Sequence, residues 1–330
     1  MKREIVWRVA ASRMISCALA LATLTLSACT STGPTLTGGE PRAGGVAGGD
    51  ESGETARQSP APSALTAEAY KGELETRHKT MSGAIRSMVA ARTVKTLDQR
   101  VARAQEALDG AATELAALVP PPEVKAQHDA YLTSLRDVAT DLDSTAAKVG
   151  AFDLCTSPAV LTDLGDGLSE LDQAGEALED AGDYPADVVS VKAGKKQTRR
   201  LNNGTFLRKG GLGGRSSLQI HNGGTRDAVI NVMRGKSKVL SVYVRRKAKF
   251  KINSVSDGTY RIYFTSGVDW DRKRGAFSRE CSFQRFQNSV KFRTTVTATQ
   301  IRWTDWRITL HAITGGNART SKVDPDDFPG

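Results

Sequence analysis

The side chains with the clearest chemistry are cations. Two runs are dense in them, Arg245-Arg246-Lys247-Ala248-Lys249-Phe250-Lys251 and Asp271-Arg272-Lys273-Arg274. Alternation puts Val242, Val244, Phe250 and Ile252 on a core face and Tyr243, Arg245, Lys249 and Lys251 on the outer face, with Arg246-Lys247 at the turn. The expected product is a cationic hairpin tip beside a second basic loop. Arg245, Arg246, Lys247, Lys249, Lys251, Arg272, Lys273 and Arg274 are the candidate polyanion contacts. Such charge raises encounter rates with an acidic partner without fixing a fold. The competing reading is solvated edge charge that prevents strand-to-strand aggregation.

Catalytic motifs are sparse. The chain has no Gly-x-Ser-x-Gly elbow, no His-Glu-x-x-His pair and no phosphate-binding glycine loop before Lys-Ser/Thr. His78, His128, His221 and His311 lie far apart in sequence, and His128 reads as a satisfied seam histidine, not a ligand. Asp269-Trp270-Asp271 and Asp324-x-Asp326-Asp327 could offer carboxylates to calcium, yet neither has EF-hand spacing, so they read as a solvated turn and tail. Trp303 and Trp306 flank a core-like strand and are expected to pack in a core or interface. No metal or cofactor is expected, and a non-enzymatic role is favoured. Because Ser/His/Asp triads assemble in space, an envelope hydrolase or transferase with its site on β-domain loops stays as the alternative.

The chain has four cysteines. Lys2, Arg3, Arg8 and Arg13 precede an apolar stretch from Met14 to Leu26, which has the form of an export signal and is short for a bilayer span. Its ending, Leu26-Ser27-Ala28-Cys29, resembles the lipobox of bacterial lipoproteins. That resemblance implies diacylglycerol on the Cys29 thiol and cleavage before it, so the mature protein is expected on the outer face of a membrane, where nucleic acid is not an expected partner. Cys17 leaves with the signal. Cys155 and Cys281 remain, and in an oxidising compartment an even pair reads as a disulfide; two buried free thiols are the alternative.

These residues need elements to hold them. Thr30 to Ala64 is Gly-, Ser-, Thr- and Pro-rich, a composition too polar to order itself, with a root-mean-square reach of about 30 Å as a coil. Val94, Leu97, Val101, Ala104, Leu108, Ala111, Leu115 and Leu118 then recur at steps of three and four, a helical seam. The stretch before it, through Met81, Ile85 and Met88, slips phase near Val89. Pro120-Pro121-Pro122 ends that helix. A matching seam from Val124 through His128, Tyr131, Leu135, Val138, Leu142 and Thr145 to Val149 makes an antiparallel hairpin. Ser157 as N-cap with Pro158 at the first helical position opens a third seam, Leu161, Leu164, Leu168, Leu171, Ala174 and Leu178. After Asp183-Tyr184-Pro185 the period becomes two, with turn signals such as Asn222-Gly223-Gly224 and Asp257-Gly258, the pattern of an all-β sandwich or barrel. Within it Val255-Ser256-Asp257-Gly258-Thr259-Tyr260-Arg261-Ile262 resembles the Gly-x-Tyr turn of transthyretin-like and carboxypeptidase-regulatory-like sandwich domains, which implies a non-catalytic module.

The expected organisation is therefore signal 1–28, tether 29–64, an antiparallel three-helix bundle 65–185, a basic linker 186–200, an antiparallel β-sandwich 201–315 and a tail 316–330. Charge divides it sharply. Residues 186–330 hold 29 Lys and Arg against 10 Asp and Glu, a net of +19, whereas residues 1–185 carry −9. Either the basic half grips an external polyanion or it docks on the acidic helices, and both can hold. The function this favours is a membrane-anchored, extracytoplasmic interaction or structural module. Its expected partners are the membrane, through the lipid anchor, and an anionic cell-wall polymer or an envelope protein. Nothing resembles the two-lobed pattern of solute-binding proteins.

Overall fold

The computed structural model describes residues 3–4, 63–311 and 319–329. Cys29, Cys17 and nearly all of the tether lie outside them. Five helices come first: α1 (Ala67–Val89), α2 (Val94–Ala116), α3 (Lys125–Gly150), α4 (Ser157–Asp163) and α5 (Gly165–Asp180). The phase slip near Val89 is a break, because the Thr93 and Thr96 side chains form a reciprocal capping box that starts α2 afresh. The third expected helix is divided at Leu164. Its N-cap is Thr156 instead of Ser157; the Ser157 hydroxyl donates to the Val89 carbonyl at 2.8 Å, satisfying the end of α1. The seams are buried as their spacing requires, and all five helices share one apolar cluster, joined by Tyr184, Ala186, Val188 and Val189 beyond α5. His128 is buried and bonds to the Tyr70 hydroxyl at 2.7 Å. Burial holds its pKa below the usual histidine value.

The strands form two principal sheets. The larger is ordered β13 (Thr320–Lys322), β8 (Ala276–Phe286), β7 (Gly258–Asp271), β4 (Asp227–Arg234), β5 (Ser237–Val244), β2 (Phe206–Arg208), with β9 (Val290–Phe292) on the start of β7. Every pairing in it is antiparallel. The smaller is ordered β1 (Arg3–Glu4), β12 (Trp306–Thr309), β3 (Leu212–Asn222), β6 (Ala248–Val255). Here the all-antiparallel expectation fails, since β12 runs parallel to β3 and β1 parallel to β12. Parallel neighbours need a long crossover, and β4 to β11 supply it between β3 and β12. Both sheets feed one apolar cluster, with Ile220, Ile252 and Ile308 from the smaller and Ile230, Val242 and Ile262 from the larger. Gly258 takes φ +153°, a value L side chains rarely adopt, and starts β7, where the Tyr260 hydroxyl donates to the Ser256 carbonyl at 3.0 Å.

The other face of the larger sheet is also covered. Val229, Tyr243, Trp270 and Phe277 cluster there with Cys155, Cys281 and Leu201, and Val94 and Phe152 pack on them. Tyr243, expected to face out, is thus fully buried, because a second layer lies where alternation alone would put water. Helices and sheets belong to one compact unit. A separate hairpin, β10 (Thr294–Val296) with β11 (Ile301–Trp303), pairs only with itself. Trp303 is therefore 45 % exposed, contrary to the packed position expected of it. Trp306 is half-buried, its indole N–H donating to the Lys291 carbonyl at 2.9 Å.

Candidate anion-binding site

The site begins at one end of the larger sheet. Asp227 pairs with Gly267 on one side, and its neighbour Ala228 pairs with Val244 on the other, so the β5–β6 and β7–β8 turns project from the same end. Two buried carboxylates anchor it. Asp227 accepts both Arg200 guanidinium hydrogen bonds at 2.6 Å, the Arg246 backbone N–H at 2.8 Å and the Tyr243 hydroxyl. Asp269 accepts Arg199 Nε at 2.8 Å and Nη2 at 2.9 Å. Burial, the largest single effect, pushes both carboxyls upward; the hydrogen bonds of Arg200, Tyr243 and the Arg246 N–H on Asp227, and of Arg199 and Ser278 on Asp269, together with the arginine charges, outweigh it and leave each below the ordinary carboxylate range. Arg199 and Arg200, expected in a linker, are structural ties.

The cysteines meet in a disulfide that joins the loop after α3 to β8, with Cα atoms 6.5 Å apart. Backbone pairing frames it: Cys155 N–H donates to Ser278 O at 2.9 Å and Cys281 N–H to Phe152 O at 2.9 Å. This loop and β13 occupy successive lengths of the β8 edge, so the edge is not left bare. Arg274 adds a bond across the same junction, Nη1 to the Ala91 carbonyl at 2.8 Å.

At this junction lies a cavity of about 530 Å³ on the outer face of the larger sheet. Its rim carries Arg92, Arg208, Lys238, Arg272 and Arg274, and among the described residues no aspartate or glutamate lines it. Its floor is apolar, built from Val229, Trp270, Phe277 and Phe283, with Leu207 at one wall and Phe328 at another. Asn231 and Ser241 supply neutral polarity and bond to each other at 2.6 Å. Burial, with Arg208 nearby, lowers the Lys238 pKa.

The basic residues singled out by sequence are thus divided. Arg272 and Arg274 reach the cavity; Lys273 is exposed outside its lining. Arg245, Arg246, Lys247, Lys249 and Lys251 are not part of it. Arg245 Nε donates to the Leu201 carbonyl and Lys247 Nζ to the Gly223 carbonyl, each at 2.7 Å. Lys249 and Lys251 stand exposed on β6. Four of the five carboxylates weighed for calcium are engaged: Asp269 holds Arg199, Asp271 accepts the Lys273 and Arg274 N–H groups, Asp324 caps a 3₁₀ turn, and Asp326 pairs with Lys95 at 3.4 Å. Among the described residues no cluster of three metal-ligating side chains occurs. His221 and His311, distant in sequence, meet with ring centroids 4.8 Å apart. Sequence reasoning missed Arg92, Arg208 and Lys238; Arg208 and Lys238 are signalled only by the basic excess of residues 186–330, and Arg92, in the acidic half, by nothing.

No family model, curated protein or solved structure matches the chain.

Proposed function

We propose that this protein is a lipid-anchored, non-enzymatic binding module of the cell envelope that holds an anionic partner at the cation-rimmed cavity. One observation carries the reading: among the described residues, five cations and no aspartate or glutamate line a concave site, and the buried Asp227 and Asp269 at the same sheet end are already bound to Arg200 and Arg199. Rim charges of one sign around a low-dielectric floor focus potential and favour an opposite charge. Lys273, exposed between the lining residues Arg272 and Arg274, extends the basic surface beyond the cavity. The lipobox supports the anchor, and the tether after Cys29 gives the folded part reach from the membrane. The apolar cluster shared by the two sheets supports reading them as a sandwich, and the single helical cluster supports reading the helices as one bundle.

Retention on immobilised anionic envelope polymer tests the reading. It should fall steeply with added salt, because neutralised anionic sites release counterions. Arg208→Glu with Arg272→Glu should abolish retention, whereas Lys249→Glu with Lys251→Glu should only weaken it. Salt-insensitive retention unchanged in the rim variant would overturn the assignment. For the anchor, Cys29→Ser should release the protein from membranes or leave it uncleaved; membrane-bound, processed Cys29→Ser protein would refute it.

A further inference from the structure

We propose that the cavity takes an anionic amphiphile, a phosphate or carboxylate head held by the rim cations with its hydrocarbon tail laid along the apolar floor. The inference rests on the reading of the cavity as an anion site and adds the chemical class of the ligand.

The floor makes the case. Val229 and Phe277 already pack in the sheet's own cluster, but a wholly hydrophilic polyanion would leave the part-exposed Phe283 and Phe328 unused. Leu207, 40 % exposed on edge strand β2, extends this apolar surface to the cavity wall next to the cationic Arg208. Burying apolar area there is worth about 25 cal/mol per Å², which only a ligand with a hydrocarbon part can collect. The volume of about 530 Å³ falls among small-molecule sites; it suits a head group with a length of chain rather than a folded partner.

Two polar groups agree. Trp270 lines the cavity, is only 3 % exposed, and its indole N–H has no partner among the described residues. A buried donor left unpaired costs about 1–3 kcal/mol, and a head-group oxygen would satisfy it only on a small shift of the ring, since the nitrogen is sealed from solvent. Burial disfavours the charged form of Lys238, and a bound anion would favour it. The C-terminal segment completes the wall. Phe328 packs edge-on against Tyr263 and Phe283, and the Pro329 carbonyl accepts from Asn231 at 2.7 Å.

The test uses the full chain carrying Cys29→Ser, so that it bears no acyl group of its own. Calorimetric titrations compare dodecyl phosphate below its micelle concentration with tripolyphosphate, which has charge without tail, and dodecyl maltoside, which has tail without charge. Dodecyl phosphate should bind at least about tenfold more tightly than either. Arg208→Glu with Arg272→Glu should remove most of that affinity. Leu207→Ser, a neutral change at an exposed position where folding is safe, should weaken dodecyl phosphate by about tenfold and leave tripolyphosphate unchanged. Equal affinity for tripolyphosphate and dodecyl phosphate would overturn the amphiphile and leave the anion site standing. Equal affinity for the maltoside, or binding indifferent to the rim variant, would overturn both, as would no binding at all.

Discussion

Removing the Cys155–Cys281 bridge by Cys155→Ala with Cys281→Ala should destabilise the fold without abolishing it. The cysteines are 126 residues apart in sequence, and for a loop of that length the chain-entropy relation gives about 5 kcal/mol of stabilisation at 25 °C. Both cysteines are buried, 6 % and 7 % exposed, but truncation to alanine removes only one sulfur from each, so the lost cross-link dominates. The junction itself should survive, since the backbone bonds from Cys155 to Ser278 and from Cys281 to Phe152, with Arg274 on Ala91, do not depend on sulfur. Urea unfolding followed by circular dichroism reads the effect. With a slope of about 3 kcal/mol/M, the upper end for small proteins, the midpoint should fall by roughly 1.5 M. Wild-type protein in reductant should fall by a similar amount. A double variant within about 0.3 M of wild type, or quantitative labelling of both thiols in the native, unreduced protein, would refute the reasoning.

Asp227→Asn should lower stability by about 3 kcal/mol, because it removes the charge opposing Arg200 in a buried network; an unchanged melting temperature would contradict this. As the folded pKa of Asp227 lies below the ordinary value of about 3.9, its contribution is complete above that pH and lost as pH falls through the folded value, so the acid limb of the stability curve should flatten in Asp227→Asn. For His128, burial lowers the pKa, so the neutral ring's contribution is complete above about pH 6.5 and lost as pH falls through the lower folded value; His128→Gln should remove that slope, and a slope persisting in the variant would assign it elsewhere. Gly175→Ala should cost about 1–3 kcal/mol by overpacking, since a Cβ there would meet the Ala186 carbonyl oxygen at 2.7 Å; a neutral effect in thermal unfolding would show that the crossing segment yields.

What the sequence reveals is what repeats locally. The buried stripe from Val124 to Val149 follows from its three–four spacing, and the break after Val89 announces itself as a loss of phase. Strands β4 and β5 show in their alternation, and the Cys155–Cys281 pairing is open to reading because the other two cysteines fall in the stretch expected to be an export signal with its lipobox. What is not legible is what a second layer does to a face. Tyr243 alternates as an outward residue and is buried because Trp270, Phe277 and the loop bearing Cys155 cover it. Arg199 and Arg200 look like linker charge until Asp269 and Asp227, some seventy and about thirty positions on, supply their partners. Residues 316–330, read as a tail, contribute β13 and Phe328 to the sheet face. The cavity draws on the α1–α2 connection, strands β2, β4, β5, β7 and β8 and the C-terminal segment, so no single stretch of sequence carries its signature.

Hydrogen exchange of the full chain, followed by mass spectrometry with and without saturating tripolyphosphate, tests the anion site most directly. The account predicts protection concentrated in the amides around Arg92–Val94, Leu207–Arg208 and Arg272–Phe277, with at most a lesser change over Arg245–Lys251. Protection confined to Arg245–Lys251, or no protection at the cavity while the ligand is bound, would contradict it.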